Sequence, residues 1–253
     1  RDISWSVGAY TPGRAPLFRF AEEPFASPNA EIGSAGHNKW YTKHGFDKRE
    51  MKGTVLITSF VHGPGMLHSK KEVRVMEDMK GIKIRVGGGG VLTAKVLGAV
   101  PVVQSATKSH ESLQRGTTEA AFFPFEAVHG FRLAGLAKYH LEIPGGLYTT
   151  PFSINMNKKK FDGLPAAARQ ALMKAGGAAG AKFIGRHWDD ADKGGRADAM
   201  KAGNKIQTLS AAEQKRWSRA VQIITDNWIK KGNEMGLDGK ALMDDLVKMM
   251  KAG

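Results

Sequence analysis

Arg85 closes the segment D-M-K-G-I-K-I-R (Asp78–Arg85), and the run Gly87–Gly90 follows almost at once. A guanidinium is always charged and presents a planar fork that grips a carboxylate through two parallel hydrogen bonds. An ion pair with a neighbouring acid, or a plain surface position, is the competing reading of the same residue. Four glycines ahead of a helix start would let backbone N–H groups approach an anion, or would simply form a hinge or tight turn. They do not make a dinucleotide fingerprint, because Leu92 stands where the third glycine belongs. His62 and His68 flank Gly63–Gly65 at a separation that is not a helical metal-ligand spacing. Asp189–Asp190 and Asp244–Asp245 are adjacent pairs, and adjacent residues of a helix point apart, so neither suits a catalytic dyad. No G-x-S-x-G elbow, Walker loop or H-E-x-x-H is present. No nucleophile stands with a base, which argues against an enzyme; no cofactor and no metal are expected.

Arg85 must be held by the elements around it. Ile82–Val86 reads as a strand and Val91–Leu97 as the helix after it, which puts Arg85 at a strand's carboxyl end, where ligands gather in open α/β sheets. Gly53–Val61 is β-branched and apolar and reads as a strand that stops at His62–Gly65. Val100–Val103 and Ala120–Phe123 are further strands, and Ser109–Arg115 is a helix capped by Ser109 and closed by Gly116. Strands and helices thus alternate from Gly53 to Pro124, the pattern of a mainly parallel sheet. Ahead of this, Asp2–Gly8 reads as a short strand. Tyr10–Ala35, with X-Pro signals at Pro12, Pro16 and Pro24, reads as loop with short helical pieces, and Trp40–Arg49 as a short helix. After Pro144–Gly146 comes an extended segment, Leu147–Asn155, and from Leu164–Pro165 a tail that is nearly all helix. In it Ser210 and Glu213 form a capping box, and Trp217, Ala220, Val221, Ile224 and Trp228 recur at helical spacing as a buried stripe. Asp238 can cap a last helix over Lys240–Lys251. Phe122, Phe123, Tyr148 and Phe152 belong to the core, or to the wall of a pocket where a strand end opens on a cleft.

A chain of 253 residues can bury a proper core, as one large domain or two lobes. Its 42% hydrophobic and 25% charged residues are ordinary for a globular protein. The absence of cysteine excludes disulfides, thiolate catalysis and cysteine-ligated metal sites. A formal charge of +14 attracts polyanions, yet the lysines are spread out and no basic arm interleaves with aromatics, so nucleic acid is not the expected partner. No apolar run approaches the ~20 residues of a membrane helix. The chain opens on Arg1 and not on Met, which suggests a processed or incomplete start.

The ordered succession D-M-K-G-I-K-I-R, L-G-A-V-P-V-V and S-L-Q-R-G-T-T-E-A-A-F-F-P resembles the DctP-type substrate-binding proteins of tripartite ATP-independent periplasmic (TRAP) transporters. So do F-S-I-N-M-N, F-D-G-L-P, the opening A-Y-T-P-G-R-A-P, Trp40–Tyr41 and G-P-G-M-L-H-S. The resemblance runs over essentially the whole chain. It implies an α/β, two-lobed periplasmic binding protein fold with mainly parallel sheets, long connecting strands and a helical C-terminal tail. It implies a periplasmic receptor, not an enzyme, that closes around an organic anion and delivers it to a TRAP membrane permease, working as a monomer. The expected division is 1–80 as the remainder of lobe I, 81–150 as the α/β lobe II, and 151–253 as a crossing strand returning to lobe I plus the C-terminal helices. The family usually begins with a further strand–helix–strand segment, so lobe I is expected to be incomplete at its N-terminus.

In this family the arginine of the K-I-R element binds the substrate carboxylate, and Arg85 occupies that position. The sialic-acid-binding branch carries an asparagine just before the proline of the second-lobe element. Here Phe123 stands there, and the usual D-G of the preceding turn is Glu119–Ala120. An aromatic face thus replaces a contact that reads hydroxyls. Phe123, Tyr148 and Phe60 are expected to wall the ligand, with Tyr10 and His62, at the ends of first-lobe strands, as polar contacts. Each sugar hydroxyl left unpaired against such a wall costs about 1–3 kcal/mol, which favours an aromatic or otherwise hydrophobic monocarboxylate. A dicarboxylate or sugar-acid receptor is the alternative of the same kind, and a phosphate- or nucleotide-using α/β enzyme the alternative of another class.

Overall fold

The computed structural model describes residues 2–11 and 13–253, so Pro12 and Arg1 lie outside the described residues. Strand β1 (Ile3–Val7) alternates apolar residues with serines. Helix α1 (Ala30–Lys43) begins ten residues before the expected Trp40. Its start is set by Asn29, whose side chain accepts the Ile32 N–H, a good N-cap that the surrounding Ser and Pro had disguised as loop. Helix α2 (Phe46–Glu50) and strand β2 (Thr54–Val61) follow, and then β3 (Met66–Ser69), which had not been anticipated. From there β4 (Lys83–Val86), α3 (Gly90–Val96), β5 (Val100–Val103), α4 (Ser109–Gln114) and β6 (Ala120–Phe123) lie where the alternating pattern put them. Next come α5 (Glu126–Gly130), β7 (Tyr139–Glu142), β8 (Pro151–Asn157), α6 (Lys158–Asp162), α7 (Ala166–Ala175), α8 (Gly177–Lys201), β9 (Lys205–Thr208), α9 (Ala211–Glu234) and α10 (Gly239–Ala252).

Two sheets organise these elements. The first has the order β1-β8-β2 and is antiparallel throughout. The second has the order β5-β4-β6-β3-β7-β9; β4 pairs in parallel with β5 and β6, and β7 with β9, while β3 runs against both of its neighbours. Its parallel strands β4, β5 and β6 are the later part of the Gly53–Pro124 alternation read from the sequence, whereas β2, expected in the same mainly parallel sheet, pairs antiparallel with β8 in the first sheet because its run matches the long β8 in register. Membership of the second sheet does not follow the boundaries at 80 and 150, because it takes β3 from before one and β9 from after the other. Trp40, Tyr41, Phe18, Phe20, Leu246 and Met250 fill the core beside the first sheet. Ile84, Val86, Phe122 and Leu141 fill that of the second, closed by the α9 stripe of Trp217, Val221 and Ile224.

Two caps differ from expectation. The residue ahead of α4 is Lys108, which makes no side-chain cap, and Ser109 is a buried residue of the first turn. Ser210 Oγ does accept the Glu213 N–H at 3.2 Å, but the Glu213 carboxylate turns away to the Met76 N–H at 2.9 Å and to Trp217 Nε1. That spends the second half of the box on a tertiary contact.

Helix α8, 25 residues or about 37 Å long, joins the two halves. Asp189 Oδ1 and Oδ2 accept the first N–H groups of α1, from Ala30 and Glu31, at 2.7 and 2.9 Å. One turn on, Asp192 Oδ1 accepts the Glu126 N–H at the start of α5, at 2.7 Å. Glycine makes the second contact close enough: a Cβ on Gly195 would lie 1.9 Å from the Phe125 carbonyl oxygen. No helix among the described residues is long and apolar enough to cross a membrane.

Candidate functional site

Strand β4 is an interior strand, with Ile84 and Val86 turned into the core and Arg85 onto the opposite face. Arg85 pairs in register with Ala121 of β6, so Phe123, two residues on, shares its face. The guanidinium carbon sits 4.1 Å from the centroid of the Phe123 ring. Nε and Nη2 both donate to the Gln104 carbonyl, at 3.2 and 2.8 Å. Arg85 is only 3% exposed, and among the described residues no carboxylate pairs with it. Burial lowers its pKa from the ordinary arginine value, with Tyr148 and Tyr10 opposing. A buried guanidinium with one carbonyl and one ring for company still holds unused donors for an anion.

Arg85 faces a cavity of about 560 Å³, within the range of small-molecule sites of about 300–1,000 Å³. The lining is drawn from both sheets: Trp5 of β1 and Phe152 of β8 on one side, Arg85 and Phe123 on the other. Trp188 of α8 stacks on Phe152, with ring centroids 5.1 Å apart. The structure therefore brings five of the six anticipated residues, Arg85, Phe123, Tyr148, Tyr10 and His62, to one cavity. Phe60 is the exception. It stacks on Phe152 at 5.4 Å, directly across the β2–β8 register, and so packs beside the wall on the same face of the sheet without lining the cavity.

The polar groups have settled partners. Tyr148 OH donates to the Phe122 carbonyl at 3.0 Å, and burial raises its pKa above the ordinary phenol value. Tyr10 OH accepts the Ala106 N–H at 3.0 Å, a contact from the turn after β1 to the second half of the molecule. His62 Nδ1 donates to the Gly63 carbonyl at 2.5 Å; burial holds the ring at about 4, so it is neutral at pH 7 with Nε2 left as an acceptor. The glycine run serves close packing. A Cβ on Gly88 would lie 2.6 Å from the Ala9 carbonyl oxygen, and one on Gly89 would lie 2.4 Å from Glu22 Oε2. His68 does not join His62; it is buried against His140, Nδ1 to Nδ1 at 2.7 Å. The acidic pairs point apart: Asp189 caps α1 while Asp190 meets Lys193, and Asp245 meets His44 while Asp244 meets Lys240.

The fold that builds this cavity is shared with known proteins. The model of the bacterial extracellular solute-binding proteins, family 7 (DctP), matches residues 1–231. The chain belongs to this family. A TRAP solute binding protein of Rhodoferax ferrireducens T118, solved with copurified benzoate, is 30% identical with a TM-score of 0.92, over 98% of this chain and 78% of that one. A TRAP periplasmic solute binding protein of Bordetella bronchiseptica with bound (R)- and (S)-mandelate is 29% identical with a TM-score of 0.92, over 98% and 80%. A third, from a marine metagenome, specific for aromatic acid ligands and co-crystallized with 3-hydroxybenzoate, is 31% identical with a TM-score of 0.91, over 98% and 78%. The chain spans between 42% and 72% of the length of the curated relatives it matches. The fold is thus the two-lobed α/β fold of TRAP solute-binding proteins, and family 7 proteins are receptors, not enzymes.

Among the lining residues of this family 7 protein that the sequence did not single out are Trp5, Glu126, Phe131 and Trp188. The alternation of Ile3, Trp5 and Val7 with two serines was a signal that Trp5 shares a face with other apolar residues. Trp188 gave none, since it lies in a helix of alanine, glycine and charge far along the chain from the strands it faces.

Proposed function

We propose that this protein is a periplasmic receptor that binds an aromatic monocarboxylate and hands it to a TRAP membrane permease, acting as a monomer. The observation that carries the reading is Arg85, a buried guanidinium with no carboxylate partner among the described residues, at the edge of a cavity walled by Phe123, Tyr148, Phe152 and Trp188. An aromatic carboxylate satisfies both features, its anion on the fork of Arg85 and its ring against the aromatic wall. The benzoate, mandelate and 3-hydroxybenzoate carried by three relatives are ligands of this class. His62 Nε2 and the Tyr10 hydroxyl proton are polar groups of the lining with capacity to spare.

The ligand enters between the lobes and touches both, so its binding favours the closed arrangement. Closure removes water and strengthens the ion pair through the lower local dielectric. A ligand that binds only the folded protein raises its melting temperature. In a thermal-shift panel, benzoate and mandelate should raise the melting point by several degrees, while succinate and glucuronate leave it in place. A shift with the dicarboxylate or sugar acid and none with the aromatic acids would contradict the ligand class.

A further inference from the structure

The cavity lining contains two charged side chains, Arg85 and Glu126. They do not neutralise each other: burial and the tyrosines dominate around Arg85, and burial and His129 around Glu126. Glu126 is the first residue of α5, and its backbone is fixed from α8 through the 2.7 Å bond of its N–H to Asp192. Its carboxyl oxygens accept no hydrogen bond from the described residues. Most other polar groups of the lining are occupied: the Tyr148 hydroxyl by Phe122, the Tyr10 oxygen by Ala106, and the Ser105 and Thr107 hydroxyls by each other at 3.0 Å. Burial raises the Glu126 carboxyl only to about 6, so at neutral pH it is mainly a carboxylate. A carboxylate accepts and never donates.

We propose that Glu126 is the specificity-determining residue of the cavity, reading a hydrogen-bond donor on the ligand's ring. This rests on the aromatic-monocarboxylate reading and narrows it to aromatic acids bearing a hydroxyl away from the carboxylate. Such a hydroxyl gives Glu126 a charge-assisted bond. A bare ring desolvates the carboxylate and returns nothing, and a second ligand carboxylate is repelled. The resulting order is hydroxylated acid, then bare acid, then dicarboxylate.

Calorimetric titration tests this with benzoate, 2-, 3- and 4-hydroxybenzoate and benzene-1,3-dicarboxylate. The natural protein should bind one of the hydroxybenzoates about 10- to 100-fold more tightly than benzoate, and the dicarboxylate more weakly than benzoate. Glu126→Leu should collapse the hydroxybenzoate-to-benzoate ratio toward one. Glu126→Gln, whose amide oxygen still accepts, should give an intermediate ratio, and it serves the same comparison if the leucine variant does not fold. Equal affinity for benzoate and all three hydroxybenzoates, with aromatic acids still bound, overturns the role of Glu126 and spares the parent reading. A full ratio retained in either variant does the same. Failure of the natural protein to bind any of the aromatic acids overturns both.

Discussion

A charged guanidinium is expensive to bury without an acid beside it, and Arg85 is held there by one carbonyl and the face of Phe123. Such a residue contributes more to a ligand than to the free protein. Its legibility in the sequence came from I-K-I-R, where alternation puts the isoleucines in the core and arginine on the other face at a strand end. Phe60 was legible in type but not in place, since it backs Phe152 from the side and does not line the cavity. β2 is buried along most of its length, so the alternation that separates wall from backing is absent from its pattern. Phe60→Ala should accordingly act on stability, lowering it by about 3–5 kcal/mol in urea unfolding, as for other aromatic truncations in a core. An affinity loss at unchanged stability would place Phe60 in the wall after all.

Elements with a strong local signal were readable: β2, β4, β5 and β6 carry apolar or β-branched runs, and the caps Asp238 and Ser210 fix the last two helices. β3, β7 and β9 were not. Their four residues apiece carry no apolar run, and Lys205, Gln207, His68 and His140 are strand residues because a partner strand pairs with them. The β3–β7 register sets His68 directly opposite His140, and burial pushes the two rings down to about 3 and about 4 from 6.5. As pH falls below 6.5 these two rings take up protons in the unfolded chain that the folded chain refuses, so the pair's contribution to stability is lost between pH 6.5 and about 4. Each ring contributes about 1.4 kcal/mol per pH unit in that window. His37 and His62, also held at about 4, act in the same sense, and the buried carboxyls of Glu23 and Asp192, held up at about 7, in the opposite one. They do so equally in a His68→Gln/His140→Gln variant, so comparing the two proteins isolates the histidines. Urea unfolding at pH 6.5, 5.5 and 4.5 should show the natural protein losing ground steadily to the variant. A constant difference would mean that the pair is charged in the folded state.

At the scale of the molecule, α8 touches both halves through Asp189 and Asp192, and the cavity between the sheets is completed by Trp188 of the same helix. The sequence showed a helical tail here but not what it reached, because the contacts that bind α8 to α1 and α5 span long stretches of chain. Family resemblance supplied the two lobes; the meeting of Arg85 with Trp5, Phe152 and Trp188 emerges only in three dimensions. The most direct test of that meeting is calorimetric titration of benzoate into the natural protein and into Arg85→Ala. Binding to the natural protein, weakened in the variant by about 2–5 kcal/mol with folding intact, is the result expected when a buried anion loses its cation. Undiminished benzoate binding by the folded Arg85→Ala protein would show that the carboxylate is held elsewhere.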